Sequence, residues 1–173
     1  MNVLTPHQEL LYRTVATYLA EGAVALILMA VFFYFSKIYH RRFLNTWAFS
    51  WLALSVFMFA TAWISLYGVN QSSGKIRLVV SIVSITACFL QAALVLIGSL
   101  ELTSKKIIST RQLALWALGI VLFSSALTLF KNEVEGAALI RYFLRIGVRY
   151  LLVGIVFIVA GAIILKSPLF TRG

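Results

Sequence analysis

The chain has 173 residues, 62% of them apolar and only 12% charged, and carries a formal net charge of +10. An ordinary soluble domain is about 45–50% apolar and about 25% charged, so this composition excludes one and points to a bilayer. The basic residues fall in short groups between long uncharged runs instead of one stripe, which also argues against a nucleic-acid surface.

A hydrocarbon core of about 30 Å takes about 20 apolar residues per helix. Five stretches meet that length: 17–36, 46–67, 77–100, 112–130 and 147–166. The expected fold is therefore all-α: a single polytopic bundle of five transmembrane helices over residues 1–173. The first 16 residues hold Glu9 and Arg13 but no basic leader, and the apolar run behind them is too long for a signal-peptide core. The first span is thus expected to stay in the mature chain. Inside it lies Glu21, about one turn from the outer boundary. A carboxylate at membrane depth costs several kcal/mol unless it is paired or protonated. Arg149 or Arg145, at the outer end of the fifth span, is the expected partner, as a helix clamp or as a ligand- or proton-sensitive pair. The remaining option is a Glu21 that faces water.

The segment "YHRRFLNTWAFSW", residues 39 to 51, follows. Arg41 and Arg42 form a short basic turn, and Trp47 and Trp51, one helical turn apart, open the second span. Arginine pairs with lipid phosphate and tryptophan favours the headgroup level, so the segment reads as an anchored turn. It also suits docking on a cytoplasmic partner and passing on its motion. In the third span Gln91 and Ser84 are seven residues apart and share a face, near Thr86 and Cys88, which makes a small polar patch. Cys88 is the only cysteine, so no intrachain disulfide forms. Glu101 closes the span and is expected to meet Lys37, Arg41 or Lys105.

Before the last span, Arg141, Arg145 and Arg149 recur every four residues in "IRYFLRIGVRY". On a helix they occupy a stripe about 80° wide. They suit a helical extension whose side chains snorkel to phosphates, or an anion site at the mouth of the bundle to which Tyr142 and Tyr150 add hydroxyls. A voltage sensor fits poorly, because the arginines stand outside the apolar stretch. Gly147, Gly154 and Gly161 recur every seven residues, drift only about 20° per step, and form a small-residue seam for close helix packing or dimerisation.

Orientation follows from lysine and arginine in the connections. Eight lie on the side of Lys37, Arg41, Arg42, Lys105, Lys106, Arg111, Lys166 and Arg172. Seven lie opposite: Arg13, Lys75, Arg77, Lys131 and the three of the stripe. With stripe arginines held on a helix, the N-terminus is expected outside and the C-terminus cytoplasmic.

The run "FYFSKIYHRRFLNTWAFSWLAL" and the later "FLQAALVLIGSLEL" resemble the multi-pass N-terminal sensor regions of bacterial diguanylate cyclases and sensor histidine kinases. There a basic turn, a Trp-rich second helix, and a third helix with Gln and a terminal Gly-x-x-Glu precede a cytoplasmic output domain. The likeness covers residues 30–101. It implies a sensory role in the bacterial inner membrane, with either a longer receptor or a free-standing relative working through a partner, since the sequence departs from the pattern at "KSPLFTRG".

No aspartate occurs, and no paired carboxylates, nucleophile with a neighbouring histidine, or glycine-rich phosphate loop is present. Neither enzyme, metal site nor cofactor is expected: His7 and His40 fall on opposite sides of the membrane, and no lysine stands mid-helix for a retinal. The reading reached is a sensory or ligand-binding membrane domain for a small amphiphilic or anionic ligand. The ligand is read by Glu21, the arginine stripe, the tyrosines and Gln91, and the shift passes down the fifth span to an output domain or partner. A small transporter or channel subunit is the rival reading, weakened by the odd number of spans and by Pro6 and Pro168 lying outside them all. An accessory subunit of a larger membrane complex is the other.

Overall fold

The computed structural model describes residues 6–67, 74–104, 109–129 and 147–165, and all of the regular structure among them is helical. The helices are α1 (Pro6–Tyr39), α2 (Arg42–Tyr67), α3 (Gly74–Ser104), α4 (Thr110–Leu129) and α5 (Val148–Leu165). The first four are long and apolar enough to cross a membrane. The fifth, with 18 residues, falls just under the usual length for a span.

Helix ends follow local chemistry. Pro6 opens α1 in the first helical position, where a missing N–H costs nothing. Polar residues then extend the helix well ahead of the apolar run, and Arg13 Nη2 meets Glu9 Oε1 at 2.6 Å one turn away. At 34 residues α1 is about 51 Å long, well beyond a hydrocarbon core, so it projects from the bilayer or tilts within it. Only His40 and Arg41 separate α1 from α2, and His40 takes the left-handed conformation (φ 50°) that reverses the chain. Ser109 and Gln112 form a reciprocal cap on α4. The Ser109 amide donates to Gln112 Oε1 (3.1 Å) and the Gln112 amide to Ser109 Oγ (3.3 Å).

Among the described residues α1 packs on α2, α2 also packs on α3, and both α4 and α5 rest on α3, with no close backbone approach between α4 and α5. Heptad spacing sets these faces. On α1, Val15, Gly22 and Ser36 are buried and Met29 half-buried, seven residues apart, with Ala25 between them. Opposite them Ala48, Ser55 and Ala62 of α2 repeat the same spacing. Small side chains let the two backbones approach, and dispersion over the close contact replaces the hydrophobic drive that lipid does not supply. Phe33 meets Phe49 edge-on at 5.2 Å, and Phe32 stacks on Trp51 at 6.5 Å.

The α2–α3 face is polar as well as small. Thr61 Oγ1 and Ser84 Oγ share a hydrogen bond at 3.2 Å, Ser50 Oγ donates to the Gln91 carbonyl at 3.1 Å, and Thr46 Oγ1 donates to Glu101 Oε2 at 2.7 Å. The outer surfaces carry large apolar residues such as Ile27, Leu115, Trp116 and Ile158, all well exposed, as lipid-facing helices require.

Candidate functional site

The site lies where α2 begins and α3 ends. Arg42 and Thr46, one turn apart in the first turns of α2, face α3, with Asn45 beside them. Glu101 stands three residues before the end of α3. A carboxylate there opposes its own helix dipole but lies against the positive end of antiparallel α2, which offsets that cost. Its side chain is only 8% exposed; Thr46 donates to Oε2, and Arg42 Nε stands 3.9 Å from Oε1. That second distance is Coulombic contact without a hydrogen bond, and the Arg42 side chain is 57% exposed. The four side chains line a pocket of about 240 Å³.

Next to Thr46, Trp47 bridges three helices. Its indole packs edge-on against Phe32 of α1 at 5.9 Å and against Phe43 at 5.4 Å, and its five-membered ring covers Gly98 of α3. A Cβ at position 98 would run into that ring, so Gly98 is glycine for room. Trp47 Nε1 is buried, with no hydrogen-bond partner among the described residues.

The polar pocket adjoins an apolar one. Phe49, Leu94 and Leu113 line both it and an apolar groove of about 620 Å³ between α2, α3 and α4, whose deeper walls include Val56, Ile82 and Val121. A separate apolar cavity of about 560 Å³ lies between α3, α4 and α5, walled by Phe89, Trp116, Phe123 and Val156.

Glu101 does not meet Lys37 or Arg41, both of which are exposed; its ion pair among the described residues is with Arg42. The reason is register: Arg41 belongs to the turn and lines a shallow hollow with Phe35, Tyr39 and Phe43, whereas Arg42 is the first residue of α2. Lys105 lies outside the described residues. Gln91 is buried, with its carbonyl serving Ser50, and Ser84 is engaged by Thr61, so the polar patch of α3 is turned onto α2. Trp47 and Trp51 are half-buried between helices, with Trp47 Nε1 itself buried.

Glu21 is exposed on α1, which packs on α2 and not on α5 among the described residues, so these helices do not bring it beside the start of α5. Arg141, Tyr142 and Arg145 lie outside the described residues. Arg149 falls in the first turn of α5, and Tyr150 is exposed there. Gly147 precedes α5 and is half-buried, while a Cβ added at Gly154 or Gly161 would meet nothing within 4 Å. That seam is thus unfilled by the described part of the chain.

Sequence reasoning missed Asn45, Thr46, Ser50 and Thr61. The signal was available: 46, 50 and 61 lie on one helical face, matched by the heptad Ser84, Gln91, Gly98 on α3. The chain was compared with family models, curated proteins and solved structures, and none matches.

Proposed function

We propose that the chain is the membrane-embedded sensory domain of a bacterial signal-transduction protein, set in the inner membrane by five spans with the N-terminus outside. The observation that carries the reading is convergence. The basic turn, Trp47 and the Gly98-x-x-Glu101 end of α3, on which the likeness to sensor regions rests, meet in one joint built from Arg42, Thr46 and Glu101. A joint linking the α1–α2 turn to the end of α3 lets a ligand that parts the helices move the cytoplasmic ends together. From there α5 would pass the shift to an output domain or to a cytoplasmic partner.

Native mass spectrometry of the gene product, purified from its own membrane, tests this. The expected species carries either an output domain in the same polypeptide or a bound cytoplasmic signalling protein. A chain with neither, or one that drives solute flux in liposomes above empty vesicles, contradicts the sensory role.

A further inference from the structure

We infer that the groove between α2, α3 and α4 is a binding site for one phosphoethanolamine-headed lipid, with its ammonium on Glu101, its phosphate on Arg42 and its acyl chains in the apolar groove. Three observations carry it. The polar pocket and the apolar groove adjoin, with Phe49, Leu94 and Leu113 in the walls of both, which sets a charged head beside an apolar body. From Leu94 to Ile82 the groove follows about 18 Å of α3 at 1.5 Å per residue, close to one leaflet of a hydrocarbon core about 30 Å thick. Among the described residues the α2 and α4 backbones do not approach each other closely, so the gap between them is the way by which a lipid would enter sideways from the bilayer.

Charge selects the headgroup. Glu101 is nearly buried, has one hydrogen bond from Thr46, and leaves Oε1 3.9 Å from Arg42, with room for a donor. An ammonium carries three N–H donors, one of which can be given to that oxygen, whereas a quaternary amine carries none. The exposed guanidinium of Arg42 offers its fork to a phosphate, and the Asn45 carboxamide stands exposed beside it. An acid and a base in one pocket match a headgroup that carries both signs two carbons apart.

This site supplies a ligand to the sensory reading above but is tested by binding alone. If binding fails, sensing through another ligand still stands; if no output or partner exists, the lipid site still stands. The experiment is native mass spectrometry of the delipidated full chain, titrated with phosphatidylethanolamine, phosphatidylcholine and phosphatidylglycerol of identical acyl chains. One charge-assisted hydrogen bond predicts retention of phosphatidylethanolamine about tenfold above the other two, as a one-to-one adduct. E101Q should bring the three lipids level, and L113W, which narrows the shared neck from the edge of α4 without touching the charges, should weaken all three together. Equal retention of the three lipids by the unaltered chain, or a preference that survives E101Q, overturns the proposal.

Discussion

Trp47 and Gly98 depend on each other. The indole occupies the space a side chain at 98 would need, and its ring joins Phe32 of α1 to α3. Gly98→Ala should therefore destabilise the bundle by about 1–3 kcal/mol through overpacking, read as a lower melting temperature in detergent. An unchanged melting temperature would show that the indole has room to move. The Thr46 to Glu101 hydrogen bond carries a different expectation. A double-mutant cycle with Thr46→Val and Glu101→Leu, which removes donor and acceptor, should return a coupling of about 1 kcal/mol, between the small values typical inside membranes and the larger ones of charged acceptors. A coupling indistinguishable from zero would mean that Glu101 is held by Arg42 and the α2 dipole alone.

Heptad seams decide which faces meet. Gly22 lies against Phe59 at a distance where an added Cβ would stand 3.0 Å from the ring, so Gly22→Ile should loosen α1 from α2 at a cost of about 1–3 kcal/mol. Gly154→Ile, in open space on α5, should shift single-chain stability by no more than about 0.5 kcal/mol. Chemical melts of both variants check the pair, and equal losses would contradict the packing order described. A fall in subunit count for Gly154→Ile alone would assign the α5 seam to a second chain. Four of the expected spans were legible as helices long and apolar enough to cross a membrane, because a long uncharged run admits little else. Their ends were less so. α1 reaches back to Pro6 because Glu9 and Arg13 pair along a helix that hydropathy does not register, and α4 starts at Thr110 because Ser109 and Gln112 cap it.

Among the described residues α2 lies between α1 and α3, and α4 and α5 both rest on α3. A periodic seam tells which face of a helix is covered but not by which neighbour, so the position of α1 at the edge was not readable. Glu21 was assigned to α5 for that reason, while the helix it rides on packs against α2. Glu101 was recognisable as a strut, yet its partner turned on a single residue of register at the start of α2. The basic turn, the tryptophans and the terminal Gly-x-x-Glu were visible as separate features. That they form one joint depends on the antiparallel pairing of α2 with α3, which brings residues 46 and 101 into contact.

The central claim is that this joint and α5 move together when the domain is occupied. Double electron–electron resonance between spin labels at Ile38→Cys and Ala162→Cys, in a Cys88→Ala background, measures that movement on exposed positions of α1 and α5. The account predicts one distance distribution for the delipidated chain in detergent and a displaced one when phosphatidylethanolamine or the physiological ligand is bound. Identical distributions with and without bound ligand would contradict a sensor and leave a passive membrane scaffold.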